Sequence, residues 1–199
     1  MSEHGLVVPA KGFELLLIKE FFDSSTTAKI FKEMRSAPAA AATIYKDGPA
    51  GVVDVRTRSA SRLSVQPETI DLVTRLLLEK RSIIGEHFGR VLKAVEAPQF
   101  LRYRAGDFFV AHQDGNTGMI RSESEEFRKI SVSIFLNDES ESAGPDTHQG
   151  GSLVFHPRAA ASYRLRSESG TLAAFRAETT HEVIPVISGE RYSIACWYG

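Results

Sequence analysis

The hydrophobic period changes at Pro98, and that change limits the folds open to this 199-residue chain more than any other feature. Beyond it, apolar and polar residues alternate over eight short runs: QFLRYR, DFFVAH, RKISVSIFLN, GSLVFH, SYRLR, TLAAFR, HEVIPVI and RYSIACWYG. Alternation marks a strand with two unlike faces. Runs of this length, separated by Gly, Asp, Ser and Pro rather than by helices, predict a β-sandwich or barrel of the jelly-roll type. They do not fit a parallel sheet with crossover helices.

Before Pro98, from about residue 13 to 97, helical spacing dominates. Asp23 or one of the Ser/Thr residues after it caps a helix carrying Ile30, Phe31 and Met34. The stretch SAPAAAATIYKDGPAG reads as loop. Pro67 then suits the first turn of a second helix. Its apolar positions are Leu72, Leu76, Ile83, Ile84, Phe88, Val91, Leu92 and Val95, with Gly85 or Gly89 as an interruption. The expected architecture is mainly β with α, a single domain over 1–199. Residues 1–97 form a helical buttress, and 98–199 form a double-stranded β-helix (jelly-roll, cupin-like) core.

Charge and cysteine content narrow the function. Lys and Arg number 24 against 25 Asp and Glu, a formal net charge of -1. That balance carries no footprint for nucleic acid or an anionic membrane. Cys196 is the single cysteine, so intramolecular disulfides and thiolate zinc clusters are excluded. A bound metal must rely on histidine and carboxylate. The N-terminus lacks a basic segment followed by an apolar run, and no stretch is long enough to span a membrane. A cytoplasmic protein is expected, and nothing in the sequence fixes its oligomeric state. Two acidic segments, RSESEEFRK and NDESESAGPDTHQGG, read as solvated loops or as a lid beside a site.

His112 and Asp114 close an apolar strand in FFVAHQDG. In an extended chain residues i and i+2 share a face, so the two side chains converge. A lone His-x-Asp says little; His181, at the head of HEVIPVI, supplies a third donor on a strand that can return from the opposite sheet. Two imidazoles and one carboxylate occupy one face of an octahedral metal and leave three positions open, an arrangement suited to Fe(II) oxygenases. Ten residues after His181 comes Arg191. Alternation sets Arg191, Ser193, Ala195 and Trp197 on one face and Tyr192, Ile194, Cys196 and Tyr198 on the other. An arginine turned into a barrel requires an anion, and a dicarboxylate ligand supplies one through two parallel hydrogen bonds. On KISVSIFLND, Ile130, Val132, Ile134 and Leu136 form an apolar face, while Ser131, Ser133 and Phe135 face a cavity. His148 and His156 read as loop and strand-end histidines, and His87 as a helix-surface or packed residue.

The order His-x-Asp, strand-rich gap, His, Arg and terminal strand resembles the 2-oxoglutarate- and Fe(II)-dependent dioxygenases, in particular their prolyl 4-hydroxylase-like branch. The resemblance covers roughly 98–199 well. It implies Fe(II) on His112, Asp114 and His181, with 2-oxoglutarate and O2 as co-substrates and ascorbate as a candidate reductant. It also implies that Arg191, Tyr103 and Ser131 or Ser193 hold the far carboxylate of 2-oxoglutarate. Gly150-Gly151-Ser152-Leu153 is similar to the family's Gly-Gly turn. DVRTRSASRL is similar to a peptide-clamping loop, and Trp197 falls near the peptide site, so Arg56 and Trp197 are the implied substrate contacts. Gln149 stands where the family often has an acidic residue, and Arg58 where the loop has serine. The implied reaction hydroxylates an unactivated C–H bond, of a prolyl residue in a peptide or protein, releasing succinate and CO2. The alternatives are hydroxylation of a free amino acid or other small molecule, and a non-catalytic cupin-like metal or ligand sensor.

Overall fold

The computed structural model describes residues 6–10, 13–42, 56–115, 128–158 and 160–199. Two antiparallel sheets face each other. The larger contains, in spatial order, β1 (Leu6–Ala10), β2 (Phe13–Ile18), β12 (Leu172–Arg176), β8 (Ile130–Phe135), β14 (Val186–Tyr198), β6 (Gln99–Arg104), β5 (Ser61–Leu63) and β3 (Ala39–Ala41). A short β9 (His148–Gly150) also pairs with β14. The smaller sheet runs β11 (Tyr163–Leu165), β10 (Leu153–Phe155), β13 (His181–Val183), β7 (Phe108–His112) and β4 (Arg58–Ser59). This is a jelly roll, as the alternation predicts.

The large sheet buries both faces. Ile130, Val132, Ile134 and Leu136, with Tyr192, Ile194, Cys196 and Tyr198, pack outward. They meet Ile30 and Met34 of α1 (Ser24–Ser36) and Val73, Leu77, Ile84 and Phe88 of α2 (Pro67–Phe88). Phe135, Phe175, Ala173, Leu101 and Tyr103 face the other way, into the space between the sheets, against Leu153, Phe155 and Val183. The alternation read from β8 and β14 is therefore the division between the two cores. Asp23 caps α1 by accepting from the Thr26 N–H at 2.7 Å. Gly89, in the left-handed region at φ 60°, ends α2.

The first half departs from a purely helical reading. FELLLI forms β2, hydrogen-bonded to β12, and SRL forms β5, hydrogen-bonded to β6. β2 is apolar on both faces, Leu15 and Leu17 inward and Leu16 and Ile18 outward, so its sequence lacks the alternation that reveals a strand. α2 stops at Phe88, leaving Val91, Leu92 and Val95 outside it; Val91 is exposed and Val95 bridges to Tyr198. The alanine loop contributes β3, and its residues 43–51 lie outside the described residues, as do 121–127 of the first acidic segment. The second acidic segment is partly interior: Glu139 is buried, accepting from Ser152 Oγ and pairing with Arg164 at 2.6 Å. No helix among the described residues is long and apolar enough to cross a membrane.

Candidate metal centre and the corridor behind it

Neighbouring strands of the small sheet bring the three candidate ligands together. His112 ends β7, His181 begins β13, and the two are register partners. Asp114 follows the strand, anchored by its backbone N–H to the Ala177 carbonyl at 2.9 Å. One ligand atom from each residue lies within 4.8 Å of the others. His112 Nε2 stands 3.6 Å from Asp114 Oδ1, and His181 Nε2 stands 3.4 Å from Asp114 Oδ2.

Each imidazole is already oriented for coordination. His112 Nδ1 contacts the Val110 carbonyl at 2.8 Å, and His181 Nδ1 contacts the Thr179 carbonyl at 2.9 Å. A carbonyl only accepts, so both Nδ1 atoms carry the proton and both Nε2 atoms present lone pairs to the centre. Burial alone would push the Asp114 carboxyl up; His181 and His112 outweigh it and hold the group well below the usual carboxylate range. Two neutral imidazoles and one carboxylate, with the remaining sides unfilled by protein ligands, fit a divalent ion such as Fe(II).

Charge and pH are linked here. Burial first, and His112 second, push His181 down to about 4; burial and Arg191 do the same to His148, also to about 4. Between that value and the ordinary 6.5, the unfolded chain binds protons that the folded chain refuses. Stability of the metal-free protein therefore rises with pH across this window and is lost as pH falls through it. Scanning calorimetry on metal-free protein is expected to give a midpoint that drops steadily from about pH 7 to about pH 5. A flat midpoint would mean that both histidines titrate normally in the fold.

Behind the ligands, the inner face of the large sheet forms a graded floor. Its first row is Phe175, Ser131 and Trp197, its second Ala173, Ser133 and Ala195, and its third Phe135 and Ser193, with Arg191 and Tyr103 beyond. The second row carries only small side chains, and the far end carries charge. Arg191 is 1% exposed, and no carboxylate among the described residues pairs with it. Its Nη1 donates to Ser193 Oγ at 2.7 Å, its Nε has no partner, and its guanidinium carbon lies 5.1 Å from the Tyr103 ring centre and 5.6 Å from that of Phe135. A buried, unneutralised guanidinium is costly, and an anionic ligand removes that cost.

The other expected residues divide. Ser131, expected beside the far carboxylate of a co-substrate, donates to Asp114 Oδ2 at 2.7 Å and so steadies a candidate ligand. Trp197 is buried in the row nearest the metal site, with the Arg128 guanidinium 3.7 Å over its ring. Arg56 is exposed in the turn before β4. His148, read as a loop residue, is fully buried at the start of β9, its Nδ1 2.8 Å from the Gly150 carbonyl. His156 bridges Ser162 Oγ and Glu182 Oε1, each at 2.9 Å. Phe109, whose sequence context suggests only core packing, lays its ring flat on His112 with centres 3.6 Å apart.

A roll of two facing sheets with a His/Asp/His cluster at one end and a buried arginine at the other defines a class of iron-dependent oxygenase fold. The chain belongs to the 2OG-Fe(II) oxygenase superfamily: the model of that family matches residues 98–199. Membership brings Fe(II), 2-oxoglutarate and O2 as cofactor and co-substrates. The chain is similar to PKHD-type hydroxylases of Shewanella sp. strain ANA-3, 34% identical over 105 residues, and Paraburkholderia xenovorans, 32% identical over 101. Each match covers 50% of this chain and 41% of the relative, so the shared region is less than half of those proteins. Among solved structures it resembles a Pseudomonas putida prolyl-4-hydroxylase, with a TM-score of 0.68, 21% identity and coverage of 92% of this chain and 91% of that one. A Trichoplax adhaerens prolyl hydroxylase in complex with a peptide fragment of hypoxia inducible factor gives a TM-score of 0.73 at 18% identity, covering 92% and 82%. At these identities the structural likeness speaks to the fold.

Proposed function

We propose that this protein is a 2-oxoglutarate-dependent Fe(II) dioxygenase that hydroxylates an unactivated C–H bond, with a prolyl residue of a peptide or protein as its substrate and succinate and CO2 as by-products. The observation that carries the reading is Arg191, a buried cation without a carboxylate partner among the described residues, set across a floor of small side chains from the His112, Asp114 and His181 cluster. That layout suits an anion whose other end reaches the metal. Similarity to prolyl hydroxylases, one of them solved with a peptide, supports the choice of substrate.

In this reading, residues 98–199 carry the chemistry, and 1–97 complete the sheet and cover its outer face. Bound Fe(II) supplies the centre at which O2 is activated at the expense of 2-oxoglutarate. The chain's own part is placement. His112, Asp114 and His181 would hold the ion through two imidazoles and one carboxylate. Arg191 takes the far carboxylate, with Ser193 fixing its guanidinium and Tyr103 flanking it. Ser131 steadies Asp114. Phe175, edge-on to His181 with ring centres 4.7 Å apart, keeps water from the buried side of that ligand. Trp197 and Arg56 are the residues assigned to contact the peptide in this reading.

The test is succinate formation by anaerobically iron-loaded protein, exposed to O2 with 2-oxoglutarate and a panel of proline-containing peptides, free amino acids and other small molecules. Stimulation by a peptide, with the peptide gaining one oxygen, is the expected result. Stimulation by a free amino acid alone would move the substrate to the small-molecule class. Failure of the loaded protein to bind 2-oxoglutarate would sink the proposal.

A further inference from the structure

β7 and β13 do not pair evenly. His112 stands opposite His181, but Phe109 stands opposite Val183, so Val110 and Ala111 together face the single residue Glu182. That extra residue is a β-bulge, a device that re-aims a side chain and recurs beside active sites. In a regular strand residues three apart point to opposite faces. Here the irregularity lets Phe109 and His112 share a side, and their rings stack at 3.6 Å with an interplanar angle of 18°.

The stack continues outward. Arg58 of β4 is the register partner of Phe109, and its guanidinium carbon lies 4.8 Å from the Phe109 ring centre. Arg58 is 7% exposed, so it is packed rather than displayed. β4 is tied to β7 by more than one register pair: the Val110 N–H donates to the Thr57 carbonyl at 3.0 Å, and Ser59 Oγ donates to Asp107 Oδ1 at 2.5 Å. The same β7 backbone supplies the Val110 carbonyl that holds His112 Nδ1. One face of the His112 ring is thus covered by Phe109, while the tilted His181 ring lies 4.3 Å away.

We propose that Arg58 is a positioning residue for the metal: through Phe109 it fixes the plane of the His112 imidazole, and so the direction in which Nε2 offers its lone pair. This rests on the reading of His112, Asp114 and His181 as a metal centre. The bulge frees His112 from the regular pleat, and a ring leaving the pleat has lost the restraint that neighbouring strand residues give. The hydrogen bond from Nδ1 sets one direction of the imidazole but leaves rotation about that axis. The Phe109 ring flat on the imidazole, itself held by the Arg58 cation, restricts that rotation.

The experiment is Co(II) titration of the metal-free 199-residue chain, read by visible absorption and by competition with a chelator, alongside the melting midpoint of each metal-free protein. Parent, Arg58→Met, Arg58→Lys, Phe109→Leu and His112→Ala are compared. Arg58→Met and Phe109→Leu are expected to weaken Co(II) binding about tenfold, or roughly 1.4 kcal/mol, and to change the band intensities. Arg58→Lys, which keeps a cation over the ring, is expected to recover most of the affinity. A purely architectural role would lower the metal-free midpoint and leave spectrum and affinity at parental values, and that result overturns the proposal. If Arg58→Met does not fold, Phe109→Leu decides. Parental binding by His112→Ala would instead overturn the metal centre itself, and the role of Arg58 with it.

Discussion

Replacing Asp114 with alanine is expected to abolish metal loading and, with it, turnover. Asp114 is the only charged member of the cluster, and it contacts both imidazoles at 3.6 and 3.4 Å. Without it, two neutral nitrogens face a divalent cation, and the Ser131 hydroxyl loses its acceptor. Loss of a supporting residue around a metal ligand typically costs about 10–100-fold in affinity; loss of the ligand itself should exceed that. The fold should survive, because the chain at this point is held by main-chain bonds from Asp114 and Gly115 to the Ala177 carbonyl. Calorimetric titration with Fe(II) under anaerobic conditions checks the affinity, and circular dichroism checks the fold. Affinity within a few-fold of the parent would remove Asp114 from the centre.

Arg191→Gln should act at the other end of the corridor and leave the metal in place. Truncating one partner of a buried charge pair costs about 2–5 kcal/mol, which corresponds to a 2-oxoglutarate Kd raised roughly 30- to several-thousand-fold. Fe(II) affinity should stay at the parental value, since Arg191 lies beyond two intervening rows of the sheet from Ser131 and Trp197. The ligand-free variant should also melt no lower than the parent. It loses a hydrogen bond to Ser193, yet it also loses a cation that burial penalises. Unchanged 2-oxoglutarate affinity, with metal loading intact, would refute the role assigned to Arg191.

Much of the centre could be read from local spacing, because local spacing is what creates it. His112 and Asp114 converge through the two-residue repeat, and alternation along β14 turns Arg191 inward while Ile194 and Cys196 turn out. What stayed hidden depends on partners distant in sequence. β2 is covered on both faces, so FELLLI shows no alternation. β3, β4, β5 and β9 have two or three residues each, too few for a period to show. The position of Ser131 along the corridor depends on its register with Trp197 and Phe175, which fixes it beside Asp114 rather than Arg191. The bulge that lays Phe109 on His112 is likewise a property of two strands, and neither strand announces it alone.

The addition of β2 to β12 also bears on how the molecule behaves in a crowd. Strand β12, LAAFR, is buried almost throughout, and without a neighbour it would offer an apolar row of open backbone donors and acceptors to any passing chain. β2 fills that row, and β1 in turn fills the outer side of β2. The outermost strand, LVVPA, carries Pro9, which has no N–H to give to a further strand. β1 and β2 therefore do more than extend the sheet: they cover a strand edge that would otherwise be open to pairing. A chain without β1 and β2 is expected to keep His112, Asp114, His181 and Arg191 and yet to aggregate through the exposed edge of β12.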